Sequence, residues 1–386
     1  MKILVAIFSI IFFSACDSHA IEASFILTAQ QNIDDQIMSI PQHRAPCFHM
    51  LDRIYIQQRV EMMIFFWGQK LDDENKGNVT ADIEIIDPNG NRNVLQKDIV
   101  ISTENVTDPN LVHASKQVFI LVFTEGDVLG KYNVIANVHD NNSGESIELP
   151  LEAELAEYTP QDTEAQEGNW QDYFLTYYIN PQPGRAIAVF INFINHLSFQ
   201  ESLDIKTYIA SYYFFAEIFS KNEYLRDHLI KTYDNFNHER KNLALYLFIV
   251  MSKYYDYDLS FLNENLIKRI KNTKDPLFYN PHDKPTDGFH QDIHWMRFMA
   301  NGDIDPIEKI ISTLEYSKYA GTIEKYKNSE KTKEAWRDIH REAVFQAGVW
   351  SLTSNCTQHE LVRNYCEFFY ENGNYDENIK TWLYVV

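Results

Sequence analysis

The chain has 386 residues, 45% hydrophobic and 14% aromatic, with a formal net charge of −21 at pH 7. Those fractions suffice for packed interiors, and the length exceeds what one core usually holds, so two domains are expected. The acidic balance excludes nucleic acid as a partner, because phosphate recognition needs a basic face, and it argues against charge-driven adhesion to anionic lipid.

Lys2 gives a short positive start, and Ile3 to Phe13 is an unbroken run of apolar and small residues. That run is roughly half of the ~20 residues that span a bilayer. A basic start, a short apolar stretch and small residues after it predict a secretory signal peptide over 1–15. Phe13-Ser14-Ala15-Cys16 resembles the lipobox of bacterial lipoproteins, with Phe where Leu is usual. The resemblance implies cleavage before Cys16, lipidation of its thiol and a membrane-tethered chain facing the periplasm of a bacterial envelope. It also makes Asp17 look like an inner-membrane retention mark. Ser18-His19-Ala20 offers a competing ordinary cleavage, which would leave a soluble periplasmic or secreted chain beginning at Ile21.

Residues 16–50 read as an N-terminal segment without regular pattern. From 51 to 155 the hydrophobic period is two: Val60, Met62, Ile64 and Phe66, then Val79, Ala81, Ile83 and Ile85, then Tyr132, Val134, Ala136 and Val138. Gln117 to Phe123 is a continuous β-branched and aromatic run, which predicts a central buried strand. Turns such as "DPNGN" (Asp87 to Asn91) and "DNNSG" (Asp140 to Gly144) punctuate the strands. The spacing predicts an antiparallel β-sandwich. "GDVLGKY", with Asp127, Gly130 and Tyr132, resembles the tyrosine corner of immunoglobulin-like domains, although Val134 stands where antibody domains carry a cysteine.

Residues 156–170 contain little that is apolar and read as an acidic linker. From 171 to 386 the period becomes 3.6 and predicts an all-α domain, a solenoid-like stack or an irregular bundle. Ile205, Ile209, Tyr212, Ala216 and Phe219 share a face, while "LALYLFIVM" (Leu243 to Met251) is apolar all round and predicts a central helix. Lys268, Arg269, Lys271 and Lys274 read as a favourable helix C-terminus. Asn301-Gly302 predicts a helix stop and Asp305-Pro306-Ile307-Glu308 a helix start capped by Asp305. Thr357-Gln358-His359-Glu360 predicts a second capping box, after a helix carrying Trp336, Ile339, Ala343, Ala347 and Trp350. No tetratricopeptide or ankyrin consensus is present. This half resembles a group of uncharacterised exported bacterial proteins through "NPQP" (Asn180 to Pro183), "DIHW" (Asp292 to Trp295), "NGD" (Asn301 to Asp303) and "WSLTSN" (Trp350 to Asn355). The resemblance brings no activity with it.

Chemistry is sparse. His290 and His294 lie one helical turn apart and are the candidate metal ligands. However, Gln291 occupies the position where H-E-x-x-H hydrolases place their base, and Asp292 is rotated away. His282, Asp287 and His340 are the possible third ligands. Asp87, Asp127 and Asp140 sit at turns, where a carboxylate serves either the backbone or Ca²⁺. Tyr177, Tyr178 and Tyr213 are the candidate binding aromatics; at helical spacing such residues also pack interiors. Cys356 and Cys366 fall in one helical segment, ~15 Å apart along it, beyond disulfide reach, so unpaired cysteines are expected. No G-x-S-x-G, Walker or G-x-G-x-x-G motif occurs, and no cofactor is expected. The reading is therefore a lipid-tethered scaffold that binds another envelope protein through its helical half. A metal-dependent envelope hydrolase using His290 and His294, or a glycan or small-molecule binder, is the alternative.

Overall fold

The computed structural model describes residues 20–41, 44, 46–103, 105–160, 170–200, 204–272, 278–328 and 332–385. Cys16, the expected signal peptide and most of the expected linker lie outside these residues, as does Lys274.

The N-terminal half is built of strands: β1 (Glu22–Thr28), β2 (Arg53–Tyr55), β3 (Arg59–Trp67), β4 (Val79–Ile86), β5 (Arg92–Ser102), β6 (His113–Ala114), β7 (Phe119–Val122), β8 (Gly130–Asp140) and β9 (Glu145–Ala156). In one sheet β3 pairs antiparallel with β1, β6 and β7. The other has the order β2-β9-β8-β4-β5. Its β2 runs parallel to β9, so that sheet is mixed where an antiparallel one was expected. Both sheets feed one interior. Leu27, Val60, Ile64 and Phe66 come from the first, and Val79, Ala81, Val134, Ala136 and Val138 from the second. Strand β4 shows why: Val79, Ala81, Ile83 and Ile85 are buried and their neighbours half-buried, since successive side chains point to opposite faces. Each fully buried Val or Ile contributes about 1.5–3 kcal/mol.

Two details differ from the sequence reading. Strand β1 comes from the segment before residue 51. The run Gln117 to Phe123 supplies only the short β7, which among the described residues pairs with β3 alone. Phe119 and Leu121 point inward while Ile120 and Val122 are exposed, so an apolar run need not mean a strand covered on both faces. At "GDVLGKY" the buried Tyr132 ring packs on Phe123, centroids 4.7 Å apart. The Asp127 carboxylate accepts from the Thr124 N–H (2.6 Å) and hydroxyl (3.1 Å), closing that turn on itself.

A short helix, α1 (Ile33–Met38), precedes β2. The C-terminal half contains α2 (Trp170–Thr176), α3 (Ala186–Ser198), α4 (Ile209–Lys221), α5 (Arg226–Asn235), α6 (His238–Tyr254), α7 (Glu264–Asn272), α8 (Gly288–Asn301), α9 (Ile304–Ser312), α10 (Thr322–Lys325), α11 (Lys333–Gln358), α12 (Glu360–Asn372) and α13 (Glu377–Val385). Helix α6 buries Ala244, Leu245 and Leu247 to Met251, as its all-round apolarity requires. Helix α4 is buried from Ile209 to Phe219, so it too is central although the sequence pattern marked one face only. These helices form an apolar interior running from Tyr158 to Leu383, separate from that of the sheets.

Helix ends follow local chemistry. The Asp287 carboxylate accepts from the His290 N–H at 2.8 Å and caps α8. Gly302 ends α8 with φ 70°, which costs glycine little. Helix α9 begins at Ile304 with Asp303 at the cap, two residues before the expected start. Asp305 is instead drawn to Arg297, 3.2 Å away. The second expected capping box is absent, because Thr357 lies within α11 and its hydroxyl donates to the Ser354 carbonyl at 2.7 Å. The chain breaks at His359 (φ −125°, ψ 107°). Helix α12 therefore folds back, and the Cys356 and Cys366 sulfurs approach to 3.6 Å. The expected wide separation fails because the two cysteines do not share a helix.

Candidate functional site

Helix α8 does set His290 and His294 one turn apart. Thr286 Oγ1–H donates to His290 Nδ1 at 2.9 Å, and the Tyr279 ring stacks on His290 with centroids 3.8 Å apart. His294 is fully buried. Its Nε2 lies 3.1 Å from the Asp283 carbonyl, which can only accept, so the proton sits on Nε2. The other nitrogen, Nδ1, is buried without a hydrogen-bond partner. Burial, reinforced by the Arg297 charge, pushes His294 down to about 3, and the imidazole is neutral at ordinary pH. Asp287 is occupied in capping, His340 Nε2–H donates to the Thr286 carbonyl at 2.7 Å, and the His282 backbone is tied to Asn280. Among the described residues no group of three or more His, Cys, Asp or Glu is placed to hold a metal ion. A metal at this pair would first have to break the hydrogen bonds that fix both rings.

The three candidate tyrosines are interior. Tyr213 is fully buried; its hydroxyl donates to the Tyr279 carbonyl (2.7 Å) and accepts from the Tyr279 N–H (3.0 Å). Tyr177 and Tyr178 are buried too, and the Tyr178 hydroxyl meets His359 Nδ1 at 3.0 Å. None presents a face to a macromolecular partner, because at helical spacing these rings are what the interior is built from. Asp87 and Asp140 likewise hold their own turns, Asp87 accepting from the Asn89 and Asn91 N–H groups at 2.9 and 2.8 Å.

The structure instead draws together residues that the sequence reading did not connect. At the junction of the halves the rings of Tyr55, Tyr158 and Tyr224 pack mutually, with centroids 5.3–5.6 Å apart. Tyrosine hydroxyls also hold the "NPQP" loop: Tyr158 donates to the Gly184 carbonyl at 2.8 Å and Tyr173 to the Gln182 carbonyl at 3.0 Å. A side chain at Gly184 would come within 3.1 Å of the Tyr55 ring.

Beside this joint lies a buried ionic network. Glu217 on α4 faces Lys221 (3.2 Å) and Arg297 of α8 (3.5 Å). It also accepts from Asn301 Nδ2–H at 3.0 Å. Lys221 reaches Asp303 at 3.5 Å. Burial alone would raise the Glu217 carboxyl, but Lys221 and Arg297 outweigh it and hold the group below its ordinary range. The β half adds neutral donors: Asn32 to Asp303 (3.2 Å), Gln36 to the Asn301 carbonyl (3.4 Å) and Gln30 to the Tyr178 carbonyl (3.2 Å). A cavity of about 20 Å³ between Gln30, Tyr177, Glu217 and Lys221 has room for about one water. Each charge here faces an opposite one, although Glu217 Oε2 and Arg297 Nε meet by charge alone with no hydrogen bond between them, so the network is suited to fixing one arrangement of helices rather than to moving protons. The signal available in the sequence was a single carboxylate, Glu217, inside the otherwise apolar "YYFFAEIF".

On the outer surface lies α11, 26 residues long. It buries Ala335, Val344, Phe345, Gly348 and Leu352, leaving Trp336 56% and Trp350 74% exposed. Among the described residues no helix is long and apolar enough to cross a membrane.

No family model and no curated protein matches the chain. Among solved structures it is similar to a family 123 glycoside hydrolase from Clostridium perfringens, at 12% identity and a TM-score of 0.23, over 49% of this chain and 36% of that one. It is also similar to a Niemann-Pick type C2 protein from Japanese carpenter ant, at 11% identity and a TM-score of 0.19, over 37% of this chain and 98% of that one. The chain thus spans about a third of the hydrolase's length, and likenesses this slight carry no argument about either fold or function.

Proposed function

We propose that the chain is an exported envelope protein, tethered by a lipid on Cys16, that binds another envelope protein through its helical half. In this reading the β half is an immunoglobulin-like spacer, and the halves are autonomous domains joined across residues 156–170. The observation that carries it is the pair of tryptophans on α11, Trp336 and Trp350, which with Phe199 and Tyr384 are the most exposed aromatic rings among the described residues. Tryptophan is the side chain most enriched at interface hot spots. The net charge of −21 favours a partner presenting basic groups around an apolar patch. Separate apolar interiors in the two halves support the division of labour.

The test is capture of partners from envelope extract with the full chain and with its Trp336→Ala/Trp350→Ala variant. The wild type retrieves a specific partner and the variant loses it. Retention of the same partner by the variant, or by the β half alone, would overturn the assignment. Intact-mass analysis of the mature protein addresses the tether separately: a diacylated Cys16 start is expected, and a start at Ile21 contradicts it.

A further inference from the structure

We propose that Cys356 and Cys366 form a dithiol site that closes to an intramolecular disulfide by exchange with a disulfide oxidant, fastening the α11–α12 corner. Their sulfurs are 3.6 Å apart and ten positions apart in sequence. Both residues are buried, and both are free thiols. A disulfide requires the sulfurs to close to about 2.05 Å. Cys356 occupies the last turn of α11, where helix ends fray most readily, and rotation about its side chain brings the sulfur toward α12. The corner is otherwise held by the His359 N–H donating to the Asn355 carbonyl at 2.7 Å and by His359 against Tyr178. A covalent link there would clamp α12 beneath the helix that carries Trp350.

The two thiols are chemically unequal. Cys356 is held below the ordinary thiol range by its hydrogen bond with Cys366 and, against its burial, by the nearby Arg363 charge. Cys366 is pushed up by the same hydrogen bond and by burial. Cys356, which sits in the last turn of α11 and opens with its fraying, is therefore the first nucleophile, since the thiolate is the attacking species. It loses its proton and attacks one sulfur of the oxidant, forming a mixed disulfide; the expelled thiolate takes up that proton. Cys366 then loses its proton and attacks the Cys356 sulfur, breaking the mixed bond, and the second expelled thiolate is protonated in turn. Two protein thiols are oxidised and one disulfide is reduced to two thiols.

The experiment uses the full chain, reduced and then equilibrated with oxidised glutathione, alkylated and digested with trypsin without reductant. Cleavage after Arg341, Arg363 and Lys380 puts the two cysteines on separate peptides, 342–363 and 364–380. The expected product is those two peptides joined, lighter than their sum by about 2 Da, with a melting temperature a few degrees above the reduced form. The Cys47→Ser variant, altered at an exposed thiol, gives the same product. The proposal is overturned if both peptides are recovered alkylated or separately glutathionylated, or if either cysteine is found joined to Cys47.

Discussion

Asp140 and Glu217 are both buried carboxylates, one in each half of the molecule, and they are satisfied in opposite ways. Asp140 accepts from the backbone N–H groups of Lys70 (2.9 Å) and Asn142 (3.1 Å) and from the Ser143 hydroxyl (2.8 Å). Its partners are mostly main chain within or beside its own turn. Glu217 depends on side-chain charges from α4 and α8, with Arg297 eighty positions away in sequence. The β half thus answers Asp140 with main-chain donors at a turn, and its other buried carboxylate, Glu61 of β3, combines the Ile33 N–H (3.3 Å) with a single half-exposed arginine, Arg59 (3.0 Å). The helical half carries charge and neutral histidine into an aromatic interior, and its stability should respond far more to charge and to pH.

The largest expected effect is at the ionic network. Arg297→Met leaves Glu217 buried beside Lys221 alone and should cost about 3–5 kcal/mol in denaturant unfolding. Adding Glu217→Leu should recover most of the loss, because the uncompensated charge is removed along with its partner. If the double variant is no better than the single one, the pair is not the unit described here. In the β half, Asp140→Ala should cost less, about 1–3 kcal/mol, since the donors it frees are backbone groups near solvent. A greater loss at Asp140 than at Arg297 would invert the comparison.

Acid comes next. His294 is neutral when folded, pushed down to about 3 from an ordinary 6.5 by burial and then by Arg297. The unfolded chain takes up the proton below 6.5 and the folded chain does not. The contribution of His294 to stability is thus complete above pH 6.5 and declines as pH falls from 6.5 toward 3. The slope is at most about 1.4 kcal/mol per pH unit. A His294→Gln variant, though weaker at neutral pH, should show a shallower decline between pH 6.5 and 5, and an unchanged slope would remove His294 as its source. The smallest effect is expected on the surface: Trp350→Ala should change unfolding by no more than about 0.5 kcal/mol. A greater loss would mean that the ring packs against the fold after all.

Particular residues show what could be read in advance. The alternation of β4 and β8, the all-round apolarity of α6 and the Asn301-Gly302 stop were legible because each is a local consequence of side-chain direction or of a left-handed backbone. The turns at Asp87 and Asp140 were legible for the same reason. The parallel pairing of β2 with β9 joins residues about a hundred positions apart, and short apolar runs do not encode their partners. The approach of Cys356 to Cys366 was hidden by one non-helical residue, His359, in a stretch whose propensity is otherwise helical. The exposure of Trp336 and Trp350 was hidden because α11 packs through Val344, Phe345 and Leu352 instead, a choice that only the neighbouring helices make.

The most direct test is hydrogen exchange of the intact chain at pH 7 and pH 5, corrected for intrinsic rates and read on β4 and β8 against α4 and α8. Protection in α4 and α8 should fall by about threefold relative to that in β4 and β8, because burying the neutral His294 costs more on acidification than the Asp292 carboxyl on the same helix, raised to about 6, returns. Equal loss of protection in both pairs, or an earlier loss in the strands, would contradict the account of two interiors with separate chemistry.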